Sequence, residues 1–265
     1  SVGNRSLEGR DYMVAQMMPV DYWDNTGYIS IPLVDSQPQN DEGTGENFRT
    51  YTYDTNGAQI DMFINGVGGA VAMDAGRFYP AEKFEVEQPS SFHSRNGKKF
   101  SVTQIDLANH SSKEPYPRPS MMTLIPRSRW RNAYLWFVPS NVNEKLQGYY
   151  VNIIGPKDNK FDSIMISKNG QKEAMIKAAG MSQVGQYTSI PGHPDLKAIR
   201  YKVTPGSYYA RASFPFMIYH YGNRAVDADG DLGDFDNDDN FFAYALPLGA
   251  VLGTGDSADM TIKVD

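Results

Sequence analysis

The amino-acid sequence predicts an all-β protein of two tandem β-sandwich-like units related by internal duplication, and three observations predict it. Pro19, Trp23, Asn25 and Pro32, inside MMPVDYWDNTGYISIP, are matched at the same spacing by Pro126, Trp130, Asn132 and Pro139, inside LIPRSRWRNAYLWFVP. The chain has three tryptophans and two fall in this register, so one supersecondary unit is used twice. Asn-Gly pairs stand at 56–57, 65–66, 96–97 and 169–170, each a strong hairpin signal. Short alternating segments lie between them, such as Ile60 to Ile64 and Ile164 to Ser167, and alternation marks strands with one buried face.

Taken in order, residues 1–10 form a lead-in, 11–115 the first unit, 116–250 the second, and 251–265 a last strand or a linker to a following module. DYMVAQ, from Asp11, resembles the strands that close each unit: KFSVTQI from Lys99 and FPFMIYHY from Phe214. The chain also lacks an initiating Met, so the sequence reads as an excised piece of a longer polypeptide. Trp23 and Trp130 are expected in equivalent buried places, each anchoring a strand that ends at Pro32 or Pro139. After that proline each unit has a polar loop, an aromatic strand and a turn-closed strand. These are FRTYTY and IDMFI in the first unit, GYYVNII and SIMIS in the second. Residues 35–47 (DSQPQNDEGTGEN) carry no large apolar side chain and read as a solvated loop. Residues 113–120, with prolines at 115, 117 and 119, read as the extended hand-over between units. Gln171 to Ala179 has helical composition and ends at Gly180, which fits one short helix or a polar strand.

The composition excludes several chemistries. The absence of cysteine removes disulfides, thiolate metal sites and thiol nucleophiles. The net charge is −6, and residues 227–239 alone hold seven aspartates, so the remainder is close to neutral and offers no basic face for nucleic acid. No apolar run approaches the ~20 residues of a membrane helix. The four histidines, His93, His110, His193 and His220, are far apart and form no metal-ligand spacing; His220, among tyrosines on a strand, reads as structural. Gly66 to Gly69 reads as a hairpin turn rather than a phosphate loop, because no capped helix follows. No nucleophile elbow is present, and a glycosidase carboxylate pair has no sequence mark. The sequons at Asn4 and Asn109 matter only in a eukaryotic secretory pathway.

The sharpest local signal is acidic. Asp227, Asp229, Asp231, Asp234, Asp236 and Asp238 recur at nearly every second position on a glycine-containing loop. Carboxylates so placed can converge on one Ca²⁺, which takes about six to eight oxygens, and the ion relieves their mutual repulsion. The pattern is not an EF-hand; the competing reading is a solvated acidic loop. A second charged pattern, Arg127, Arg129 and Arg131 alternating about Trp130, reads as an extended segment with its arginines on one solvated face beside carboxylate partners.

MVAQMMPVDYW, GVGGAVAMDAGRFYPAEKFEV, GKKFSVTQI, PSMMTLIPRSRW, YYVNIIG and the closing FPFMIYHYG with FAYALPLGA together resemble the IgGFc-binding family. The likeness covers most of residues 11–250, and its matched positions are structural: prolines, tryptophans, glycines and core apolar groups. The family is named for a domain of an animal mucus glycoprotein, and similar domains occur in bacterial surface proteins. This chain departs from the pattern in the acidic run between the Tyr221-Gly222 element and FAYALPLGA. The resemblance implies a non-enzymatic extracellular or cell-surface module for binding or adhesion, within a larger protein and beside neighbouring modules. Its expected partner is a protein or glycan at a cell surface, and calcium at the acidic loop is expected to stabilise it. The competing readings are a carbohydrate-binding module and a glycoside hydrolase with an unmarked carboxylate pair.

Overall fold

The computed structural model describes residues 17–33, 46–54, 56–64, 67–79, 88–106, 120–139, 148–223 and 243–248. Strands dominate, as the alternation demands. They are β1 (Tyr28–Ser30), β2 (Glu46–Tyr51), β3 (Ala58–Ile64), β4 (Val67–Met73), β5 (Phe78–Tyr79), β6 (Ser90–Ser94), β7 (Ser101–Asp106) and β8 (Ser120–Thr123). They continue as β9 (Arg131–Val138), β10 (Gly148–Pro156), β11 (Met165–Lys168), β12 (Ala174–Met175), β13 (Ser182–Ile190), β14 (His193–Val203), β15 (Gly206–Asn223) and β16 (Ala243–Pro247). The helical pieces among the described residues are short 3-10 turns. The Asp-rich run 227–239, most of loop 35–47, the hand-over 113–119 and both chain ends lie outside the described residues.

The ladders follow the same order in both halves. In the first, β1-β6-β3-β4 form one sheet and β5-β2-β7-β8 another. In the second, residues 206–211 of β15 pair with β9 and β11, which carries β12. Residues 217–223 of β15 pair with β10 and β16, and β10 continues to β14 and β13. Beyond the shared order, the second half adds β13 on β14, and one connection differs. Where the first half breaks between β6 and β7 at the Asn96-Gly97 turn, the second runs straight through as the 18-residue β15, irregular only between Arg211 and Phe216. All the ladders are antiparallel, so hairpin turns set the register. Asn169 and Gly170 both take positive φ, 52° and 71°, the pair that a tight hairpin turn needs.

The repeated Pro-x-x-x-Trp element has the same local geometry at both sites. Val20–Tyr22 and Arg127–Arg129 are three-residue 3-10 turns after Pro19 and Pro126. Each tryptophan follows in extended conformation, at φ −66°, ψ 148° and φ −65°, ψ 151°. Each indole N–H donates to the carbonyl five residues back: Trp23 to Met18 at 2.9 Å, Trp130 to Ile125 at 3.3 Å. Downstream, the hydroxyls of Tyr28 and Tyr134 donate to the carbonyls of Phe100 and Phe216, each at 2.5 Å, and accept from the amides of Asp24 and Arg131. Each tyrosine also meets that phenylalanine edge to face, with ring centroids at 4.9 and 5.0 Å. Burial pushes both phenols well above their ordinary range, so they stay protonated donors.

Two sequence expectations are corrected here. Arg127 and Arg129 do not lie on an extended face, because the three residues after Pro126 close a 3-10 turn; only Arg131 starts a strand. The helical composition of Gln171 to Ala179 yields no α-helix: two residues pair as β12 and Ile176–Ala178 make a 3-10 turn. Tertiary pairing with β11 overrides a weak propensity there. In addition, Glu46 and Asn47 open β2 rather than end the loop, and Gly68 and Gly69 lie inside β4 opposite Phe63 and Met62.

One apolar cluster runs through both halves, from Tyr28 and Ile29 through Leu124, Ile125 and Trp130 to Tyr221 and Ala245. Trp130 is only 5% exposed. Replacing it by Ala is expected to cost about 3–5 kcal/mol by urea unfolding, the usual loss for a buried large aromatic. An unchanged midpoint would show that the turn anchors nothing.

Candidate binding groove at the seam between the halves

β1 pairs with β6 on one side only, so its opposite edge presents buried carbonyls that need donors. The second half supplies them from side chains. Tyr219, Asn152 and Arg200 stand in one row across β15, β10 and β14. The Tyr219 hydroxyl donates to Ile29 O at 2.9 Å, and the Asn152 amide reaches Ile31 O and Pro32 O at 3.5 Å. The Arg200 guanidinium donates to Pro32 O and, through Nε, to Asn152 Oδ1 at 3.1 Å.

The two Pro-x-x-x-Trp turns also touch. Arg127 N–H donates to Gly27 O at 2.8 Å, and Ser128 N–H to Thr26 Oγ1 at 3.1 Å. The Ser128 hydroxyl donates to Asp24, whose other oxygen accepts from the amides of Asn25 and Thr26. Arg129 lies 5.1 Å over the Tyr22 ring, and Arg127 pairs with Asp195 beside His193. The expectation of local carboxylate partners therefore holds for Arg127, though from a turn. The β13–β14 tip closes this end: Ser91 donates to Pro191 O at 2.5 Å. Gly192, at φ +76°, has no room for a Cβ, which would stand 3.0 Å from the Phe63 ring and Ser91 Oγ.

Beside this seam runs a groove of about 250 Å³. Ile31 to Leu33 form one wall with Gln88 and Pro89; β13 from Val184 to Thr188 and β14 from Ala198 to Arg200 form the other. β13 departs from β14 here, with a register shift between Val184 and Thr188 and Gly185 at φ +73°. The departure opens the groove. Among the described lining residues Arg200 is the one ionisable group, and it is already hydrogen-bonded.

Asp227, Asp229, Asp231, Asp234, Asp236 and Asp238 all lie outside the described residues, and among the described residues no His, Asp or Glu cluster has metal-binding geometry. Sequence reasoning missed the groove, since Leu33, Val184 and Arg200 are ordinary residues in three distant segments. A family model described as IgGFc binding protein matches residues 2–222. The chain belongs to the IgGFc-binding family. The match ends at Gly222, before the acidic run begins, and covers both walls of the groove. No curated protein and no solved structure matches the chain. The IgGFc-binding family is one of binding domains, and no helix among the described residues of this member is long and apolar enough to cross a membrane.

Among the described residues, the most deeply buried histidine lies in the member's second half. His220 occupies the place that Gln104 takes in the first, each four residues after the phenylalanine that meets the repeated tyrosine. Burial lowers the His220 imidazole from 6.5 to about 4. The unfolded chain then takes up the proton first. Stability is full above pH 6.5 and falls as pH drops toward 4, by roughly 3 kcal/mol over the window. The expected outcome is that His220→Gln flattens this loss, measured by urea unfolding at about pH 7 and about pH 4.5. An equally steep loss in the variant would assign the acid sensitivity elsewhere.

Proposed function

We propose that this chain is a non-enzymatic, extracellular protein-binding module that takes an extended, uncharged stretch of its partner into the seam groove. The observation that carries the reading is the bulge of β13 away from β14, which leaves Val184, Gly185, Gln186 and Thr188 across an open channel from Ile31, Pro32 and Leu33. The polar side chains around the channel support it. Arg200, Asn152 and Tyr219 are engaged in holding β1, which leaves them to scaffold the groove rather than to perform chemistry. Segments on a rigid scaffold commonly carry recognition, and the β13 bulge is such a segment.

The module is built of two units that arose by duplication. The recurring turn geometry, tyrosine hydrogen bonds and ladder order support that reading. Adhesion at a cell surface, beside other modules of the same polypeptide, is the setting we assign to it. An antibody Fc fragment is the first probe, because the family's description names it. With the chain immobilised, Fc is expected to bind, and Val184→Arg, which intrudes on the groove, to weaken binding roughly tenfold or more. Binding of glycans alone on an array would instead favour the carbohydrate-binding reading, and Fc affinity untouched by Val184→Arg would remove the groove.

Calcium at Asp227, Asp229, Asp231, Asp234, Asp236 and Asp238 completes the proposal, since closely spaced carboxylates gain most from a hard cation. Millimolar Ca²⁺ is expected to release heat in calorimetry and raise the melting temperature. The double variant Asp229→Asn, Asp231→Asn is expected to lose both effects. Neither signal in the parent chain would make the run a solvated acidic loop.

A further inference from the structure

The turn Pro191-Gly192 at the β13–β14 tip presses on the first half, and the residue that follows it is a histidine. His193 is only 8% exposed. Its Nδ1 faces Arg127 Nη1 at 3.4 Å. A guanidinium can only donate, so Nδ1 accepts and the neutral ring carries its proton on Nε2. That Nε2 is buried and has no hydrogen-bond partner among the described residues. The ring also lies against the first half: a Cβ on Gly27 would stand 3.6 Å from His193 Cε1 and 3.5 Å from His93 Cβ.

The charged groups around the ring leave a second proton without a counter-ion. The turn after Pro126 contributes Arg127, β14 itself contributes Asp195, and β6 contributes His93. Asp195 is already bonded to Arg127. Behind His93, the Asp61 carboxylate is shared between His93 at 3.4 Å and Arg95 at 3.1 Å. Asp24, on the facing turn, accepts from Ser128 and from the amides of Asn25 and Thr26. An imidazolium here sets two cations on the Asp195 carboxylate and aims its new Nδ1–H at the Arg127 guanidinium. Lost hydration and a like charge both disfavour that form. Burial first, and the guanidinium second, accordingly lower the imidazole below its ordinary value.

We propose that His193 is an acid-operated latch: on taking up a proton it releases the β13–β14 tip from the first half while both halves stay folded. The contacts that must part are few and local. They are the Ser91 hydroxyl on Pro191 O, the seat of Gly192 against the Phe63 ring, and the Arg127 bridge. The arm has places to bend, because the register of β13 shifts between Val184 and Thr188 and again between Ser189 and Ile190. The linkage has one sign. The docked imidazole binds its proton less tightly than a free one, so docking is full above the free value of 6.5 and weakens as pH falls below it. β13 and β14 also wall the groove, so on the groove reading the latch loosens the hold on a bound partner. The tip itself can be followed with no partner present.

The chain has no cysteine, so Ser91→Cys places a single thiol beneath the tip, at a position only 1% exposed. Its rate of modification by dithiodipyridine, divided by the rate for the urea-unfolded chain at the same pH, reads tip opening. The ratio is expected to rise several-fold between about pH 7.5 and about pH 5.5, under the ceiling of roughly tenfold per pH unit that one proton sets. Far-UV circular dichroism should stay constant over that window, which separates tip release from unfolding. Adding His193→Gln, which keeps an acceptor for Arg127 but cannot charge, should flatten the ratio. NMR of the unaltered chain gives a second readout: the Phe63 ring signals should move with the same midpoint as the His193 ring. A ratio independent of pH overturns the proposal, as does an equal rise with His193→Gln. So does a rise that follows loss of circular dichroism, or a Phe63 ring that ignores the His193 titration.

Discussion

A three-residue strand with one bare edge organises this molecule. β1 cannot be buried unless its free carbonyls find donors, because an unsatisfied backbone group in the interior costs about 1–3 kcal/mol. Among the described residues no further strand meets them. A phenol reaches Ile29 in the strand, and an amide and a guanidinium reach Ile31 and Pro32 just after it, from three neighbouring strands of the other half. The row that satisfies the edge is thereby committed, and its geometry dictates how the halves sit. The groove follows from this arrangement: its near wall, Ile31 to Leu33, is the chain that Asn152 and Arg200 hold in place.

The paired turns give the same seam a second clasp at its other end. Because Arg127 to Arg129 form a turn, three consecutive residues can point in three directions, toward Asp195, Asp24 and Tyr22. An extended segment would have sent two of them the same way. The contacts are mostly exposed, and exposed ion pairs contribute little to stability. Their effect is to fix orientation, while the continuous apolar cluster supplies the energy.

Much of the scaffold was legible from the residues alone. Asn169-Gly170 announced a hairpin because both residues must take positive φ, and both do. Trp23 and Trp130 announced a repeated element because tryptophan is scarce and spacing is informative. Arg127 was misread because alternating charge resembles a strand, whereas the preceding proline decides the local path. Gln171 to Ala179 fits a short helix or a polar strand by composition, and the pairing of β12 with β11 decides for a strand and a 3-10 turn. The seam groove left no sequence trace, since it depends on Leu33, Val184 and Arg200 meeting across long separations. The acidic aspartates were legible as chemistry, yet they lie outside the described residues.

The unbroken β15 gives the two halves different mechanical character. In the first half, the two sheets are joined by turns such as that around Asn96-Gly97 and by side-chain bonds such as Ser30 to Gln104, with no strand shared between them. In the second, a single extended rod of 18 residues belongs to both sheets, so twisting one must drag the other. Under a pulling force the front of the molecule is the compliant part and the back the stiff one. The groove, with a wall from each, would then widen or narrow with load.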